Sequence, residues 1–199
     1  MYAILVTDGL CLVMNKEILE NTVLALLKAA PGLGSVQINK ALILIDAFYH
    51  SYFKETLTGI TYIKHWYGPV PDYDAHAVLY KMEFDKVKVA HEKTGRAVKA
   101  AHYAICDPDY SVFSGRAIEI IRDVAMFIIQ NKAGRLSEIT HDMVYENTPM
   151  GGVIPIESVY SLETESRPWT EEEKNDAKRI LEEITDSEEF DLSPFYAQG

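Results

Sequence analysis

Residues 35–55 read SVQINKALILIDAFYHSYFKE. Ile38, Leu42, Ile45 and Tyr49 recur at steps of three and four, the spacing of one face of an α-helix. Ala41, Leu44 and Phe48 widen that face. A helix apolar over so much of its circumference belongs at the centre of a core. Two residues interrupt the run. Asp46 sits inside LILIDAF, where a carboxylate must reach solvent or find a partner, because unpaired burial is costly. Lys40 is six positions away on a different edge of the helix, so the partner of Asp46 is expected elsewhere in the chain. A buried structural role for Asp46 and a binding role both stay open.

Upstream of this helix, residues 17–30 form another. Ile18, Val23, Leu26 and Leu27 supply its stripe, Asn15 caps it and Pro31-Gly32 stops it. Residues 2–6 and 10–14 flank Asp8-Gly9, a hairpin signal. Met14 also opens a normal-looking start, which would make residues 1–13 an extension outside the fold. Downstream, residues 57–67 (LTGITYIKHWY) read as a turn followed by a strand. Gly68-Pro69-Val70-Pro71 ends it, with the prolines fixing an extended exit. A helix is expected over 72–84. A hairpin of 86–92 and 97–105 is expected around Lys93-Thr94-Gly95-Arg96, where valines and aromatics favour strands. Ser114 caps a helix over 115–131 with Ile118, Ile121, Ala125 and Ile128 in its stripe. A short helix begins at Ser137, and 151–155 (GGVIP) reads as irregular. Thr170 and Glu173 form a capping box for a last helix that ends near Ile184.

These elements predict an α+β fold, predominantly helical, as a single compact domain with small β-hairpin elements. Residues 1–16 are an N-terminal extension or hairpin, 17–184 the domain, and 185–199 an acidic tail expected to be poorly ordered.

The chain has 199 residues and a formal net charge of −11. That length suits one domain of ~100–200 residues. The charge opposes the phosphate-counterion release that drives nucleic-acid binding. Basic partners are the electrostatic match, with plain solubility as the alternative reading. Cys11 and Cys106 sit in apolar sequence and read as small buried hydrophobes, in keeping with a reducing cytoplasm. The sequence has no transmembrane span, and the apolar start carries Asp8 and lacks a basic leader.

No GxGxxG, P-loop, GxSxG or HExxH pattern occurs, and none of the six histidines pairs with another at metal spacing. No cofactor or metal is expected. His50 closes a core helix and reads as a half-buried packing residue. His65 and His102 fall in expected strands, where alternation puts them at the surface. His141 is the best catalytic candidate: Glu138 is three residues before it on the same helical face and Asp142 is adjacent. No nucleophile completes the set, and the nearby serine and threonine read as helix caps. Trp66-Tyr67-Gly68-Pro69-Val70 combines aromatics, which are frequent interface anchors, with a rigid turn.

Several of these segments fall in an order that resembles the Panacea domain, the SocA-like antitoxin family. Ile38-Asn39-Lys40 with Leu42, Leu44 and Asp46 is similar to its LxKLLYLAD helix. Thr58-Gly59, Tyr62 and Tyr67-Gly68-Pro69-Val70-Pro71 are similar to its TGxxY…YGPVP segment. Phe113-Ser114 resembles its FS helix start. Leu136-Ser137-Glu138-Ile139-Thr140-His141 resembles its LSxxTH motif, and Val153-Ile154-Pro155 its later IP signature. The resemblance spans about residues 17–160. The chain departs from the pattern at Ala41, Ile43, Ala117 and Tyr145, and it lacks a glycine before Thr58-Gly59. The resemblance implies a prophage- or mobile-element-associated antitoxin that neutralises a toxin by direct contact, alarmone synthetases among the known targets. A SocA-type member delivers its toxin to a protease. The implied partners are a cognate toxin and, in that second case, a protease. No enzymatic role is implied. The candidate partner-binding or motif residues are Lys40, Asp46, Tyr62, Trp66, Tyr67, Gly68, Pro69, Glu138, Thr140 and His141.

Two other readings compete. Helices 17–30 and 35–55 with a wing at 57–67 suggest a winged DNA-binding repressor, although the second helix offers only Lys40 and Lys54 as cations. A hydrolase would use His141 with Glu138. The tail sequence FDLSPFYAQG is a further candidate, as a linear docking motif.

Overall fold

The central helix is present. In the computed structural model, which describes residues 14–94, 97–131, 133–140 and 143–156, α2 spans Ser35–Phe53. Every residue from Lys40 to Ala47 is buried. The helix is therefore enclosed on all sides at its middle, as its apolar circumference requires. The enclosure ends at Phe48, which is largely exposed and does not widen the core face as expected. Gln37 reaches back to the N–H of Gly34 at 3.1 Å to tie off the start. Lys54 closes the other end in the left-handed region, φ 61°.

α1 spans Lys16–Ala29, and the Asn15 side chain accepts from the Ile18 N–H at 3.2 Å. Leu19, Val23, Leu26 and Leu27 are buried. α4 spans Gly115–Gln130, with Ser114 accepting from the Ala117 N–H at 3.2 Å. Ile121, Ala125 and Ile128 of the expected stripe are buried, together with Ile120 and Val124; Ile118 sits at its half-buried edge. α4 packs on both α1 and α2, so these three helices form the core.

Two small antiparallel sheets complete an α+β fold that is mainly helical. β1 (Tyr62–His65), β2 (Gly68–Pro71) and β5 (Val153–Ile154) make one, in the order β2-β1-β5. β3 (Val87–Thr94) and β4 (Ala97–Ala104) make the other. The helix expected over 72–84 is α3, Tyr73–Asp85, capped by Asp72. α5 (Ala133–Thr140) and α6 (Met143–Asn147) lie between α4 and β5.

Four expectations are corrected. Gly68–Pro71 is not an exit but a strand paired with β1 in register Ile63↔Val70. Lys64 exchanges its backbone bonds with Gly151 and Gly152, while the Asp72 N–H donates to the Thr61 carbonyl. Even-numbered residues of β1 thus bond toward β5 and odd-numbered ones toward β2. By the same alternation Pro69 and Pro71 lack their N–H on the open edge, where no ladder bond is lost. The stretch 151–155 is not wholly irregular, since β5 lies within it. The short helix starts at Ala133, not Ser137. Thr140 is not a cap: it is buried, and its hydroxyl donates to the Leu136 carbonyl one turn back. The Asp8-Gly9 hairpin, Cys11, the last helix and the tail lie outside the described residues.

Candidate functional site

Asp46 finds its partners 12 and 16 residues downstream. Its Oδ1 accepts from the Thr58 N–H at 2.9 Å. Its Oδ2 accepts from the Thr58 hydroxyl at 2.5 Å and from the Tyr62 hydroxyl at 2.7 Å. All three residues are buried. Burial pushes the Asp46 carboxyl up, and the donors from Thr58 and Tyr62 act against that shift. Burial and the neighbouring Asp46 push the Tyr62 phenol well above its ordinary range, so it remains a donor. The carboxylate therefore fastens the 54–61 loop and the start of β1 onto α2.

From that anchor β1 runs outward to a two-residue turn, Trp66-Tyr67. Gly68 follows with φ 104°, a conformation that favours glycine. The turn is held from α6. The Tyr145 hydroxyl donates to the His65 carbonyl at 2.6 Å and also takes the Gly68 N–H. Lys64 crosses the Tyr145 ring at 4.5 Å and donates to the Glu146 carbonyl at 3.0 Å. Gly68 and Pro69 are buried, and Trp66 and Tyr67 project.

α3 begins two residues after Pro71 and points more rings outward. Ala75, Val78 and Met82 form its buried face. Tyr73, Ala77, Tyr80 and Phe84 follow at steps of four, three and four on the opposite face. Tyr80 and Phe84 meet edge to face at 5.1 Å. The exposures are 73% for Trp66, 70% for Tyr67, 85% for Tyr73, 64% for Tyr80 and 74% for Phe84. Five large rings are thus offered within residues 66–84. On the same helix three carboxylates, Asp74, Glu83 and Asp85, face one lysine, Lys81.

Lys40, proposed as a binding residue and as one of two recognition cations, is buried, and its amine has no hydrogen-bond partner among the described residues. Burial lowers its pKa to about 8. Enclosure of residues 40–47 also removes the recognition face that a DNA-reading helix would need. His102 is buried, contrary to expectation. Its backbone bridges to Leu33, and its Nδ1 lies 2.8 Å from the Leu33 carbonyl while Nε2 lies 3.4 Å from Glu83 Oε1. Nδ1 is thereby committed to the Leu33 carbonyl and Nε2 faces the Glu83 carboxylate, while Ser35 lines the same cleft. Cys106 is exposed, not buried. His141 and the Glu138 side chain, the hydrolase pair, lie outside the described residues. Among the described residues, no group of three or more His, Cys, Asp or Glu is placed to hold a metal ion. No helix among them is long and apolar enough to cross a membrane.

A groove of about 370 Å³ runs between α2 and α4, with Phe48, Tyr52 and Phe127 among its walls. Its rim is largely self-neutralised, because Arg116 pairs with Glu119 at 2.8 Å and lies 5.2 Å from the Tyr52 ring.

Sequence reasoning reached Trp66 and Tyr67 but missed Tyr73, Tyr80 and Phe84. The signal was available: steps of seven and four inside an expected helix mark one stripe, and the opposite stripe already held the apolar core residues.

Mainly helical architecture, an acid-centred anchor and projecting aromatics describe a scaffold that displays a surface. The family model for the antitoxin SocA-like, Panacea domain matches residues 38–144. That is more than half of the chain, and the chain belongs to this SocA-like antitoxin family. Membership points to an antitoxin-type role and a toxin partner rather than to catalysis. No curated protein matches the chain, and no solved structure does.

Proposed function

We propose that this protein is an antitoxin that neutralises its toxin by direct contact through the segment Trp66–Phe84. The supporting observation is the group of five exposed aromatic rings in that segment, on a chain of net charge −11. Tryptophan and tyrosine are the commonest interface hot spots, and solvent-facing rings in such number need a reason beyond packing. The net negative charge of the chain adds faster encounter with a basic toxin.

Co-expression and co-purification with the product of the adjacent gene test this. The expected result is a stable complex and rescued growth. Replacing Trp66, Tyr73, Tyr80 and Phe84 together by alanine abolishes both, with the fold unchanged. Failure to bind or neutralise any neighbouring product removes the reading. Toxin turnover in protease-proficient and protease-deficient cells separates neutralisation by contact from delivery to a protease.

A further inference from the structure

Beside the aromatic stripe lies a cleft of about 140 Å³ between α1, α2, α3 and the β3-β4 hairpin. Small-molecule sites usually start at about 300 Å³, so this one has room for a single side chain rather than a metabolite. Val23, Leu27 and Met82 give it an apolar floor. Tyr80 and Glu83, both on α3, stand at its edge.

Its charge is one-sided. Among the described residues that line it, Glu83 is the one carboxylate and none is lysine or arginine. His102 sharpens the asymmetry. The Leu33 carbonyl can only accept, so Nδ1, 2.8 Å away, carries a proton. In the neutral imidazole Nε2 is then an acceptor, and it lies 3.4 Å from the Glu83 carboxylate. In that form two acceptors stand side by side on the cleft wall. Ser35, Asn39 and His76 also line the cleft and bring no fixed charge.

We infer that this cleft receives one long cationic side chain, an arginine, from the partner. The methylene stem lies on the apolar floor and the guanidinium meets Glu83 and His102. Tyr80, exposed at the mouth, presents a ring face to the same cation. The inference takes its partner from the antitoxin reading, but its chemistry stands on the cleft alone.

An NMR titration of the full chain tests it, with N-acetyl-arginine methylamide as the probe and the neutral citrulline analogue as control. Arginine is expected to give saturable shifts at the Met82 methyl and the His102 ring, with Kd on the order of millimolar. Citrulline is expected to bind at least about tenfold more weakly, because it lacks the charge-assisted bonds. Glu83→Gln is expected to remove the difference between the two without changing the thermal midpoint. Equal response to both probes overturns the inference, and that comparison needs no variant. So does a free protein in which both His102 nitrogens are protonated at neutral pH, since Glu83 would then already be satisfied. Arginine binding without toxin neutralisation leaves the cleft standing and removes the antitoxin reading; neutralisation without arginine binding does the reverse.

Discussion

Asp46 carries the most exacting test of how this fold is held. Replacement by alanine strands three buried donors, the Thr58 N–H, the Thr58 hydroxyl and the Tyr62 hydroxyl. Each orphaned donor costs about 1–3 kcal/mol, and the hydroxyls recover part by turning, so Asp46→Ala is expected to lose about 3–5 kcal/mol. Asp46→Asn is different. Its oxygen keeps the Thr58 N–H, and its amide donates to two hydroxyls that can reverse and accept. The buried charge disappears as well. A change within about 1 kcal/mol is expected at neutral pH. The pH dependence has a definite sign. The folded carboxyl titrates above its ordinary 3.8, so between 3.8 and the folded pKa the folded state holds more protons than the unfolded chain. This group's contribution to stability is therefore largest below 3.8 and falls as pH rises through that window. Asparagine does not titrate, so the stability of Asp46→Asn relative to wild type should improve as pH rises above 3.8 through the folded pKa. Urea unfolding followed by circular dichroism measures both effects. An Asp46→Ala loss below about 1 kcal/mol, or an asparagine difference that drifts the other way, refutes the anchor argument.

Lys40→Met should stabilise the protein at neutral pH. The fall from 10.5 to about 8 marks a destabilisation of about 3 kcal/mol by burial of the ammonium, at ~1.4 kcal/mol per pH unit. That deficit is fully present below pH 8 and fades toward 10.5, so the advantage of methionine should shrink over the same range in chemical denaturation. Tyr145→Phe removes the hydroxyl that joins the His65 carbonyl and the Gly68 N–H, and should cost about 1–2 kcal/mol while raising the mobility of the Trp66 ring in fluorescence anisotropy. The single substitutions Tyr73→Ala, Tyr80→Ala and Phe84→Ala should each change stability by no more than about 0.5 kcal/mol, since these rings face solvent. At least one should weaken toxin binding by about 2 kcal/mol, or roughly thirtyfold, in calorimetry.

Local signals in the sequence were read well because their causes are local. Asn15 and Ser114 accept from N–H groups three residues on, as side chains at helix starts do. The apolar run of α2 announced its own enclosure. Other features depend on residues brought together from a distance. Nothing near LILIDAF names Thr58 and Tyr62 as the donors to Asp46. Nothing in the hairpin sequence says that His102 is covered by the α1–α2 turn and by Glu83. The prolines of GPVP argued against a strand because their tolerance requires an open edge, which only the sheet order β2-β1-β5 supplies. α5 was entered late because Ser137 looked like a cap, while the turn before it carries no cap signal of its own.

This division bears on what the family signature can mean. Lys40, Asp46, Tyr62, Gly68, Pro69 and Thr140 are all motif residues, and all are buried. Their work is internal: Asp46 and Tyr62 fasten the loop before β1, Thr140 bonds back within α5, and Gly68 and Pro69 shape the hairpin. Such positions specify the scaffold and are silent about what binds it. Among the described candidate residues Trp66 and Tyr67 project, and they do so because Gly68 behind them makes the turn. Tyr73, Tyr80, Phe84 and Glu83 belong to no motif, yet they lie on the helix that the motif hairpin leads into. A motif that fixes the hairpin thereby fixes where α3 starts, and leaves its outer face free to vary without disturbing the core. Partner choice in this fold is expected to reside on that face. Exchanging the outward residues of α3 between two family members should transfer toxin preference, whereas exchanging the buried motif residues should alter stability alone.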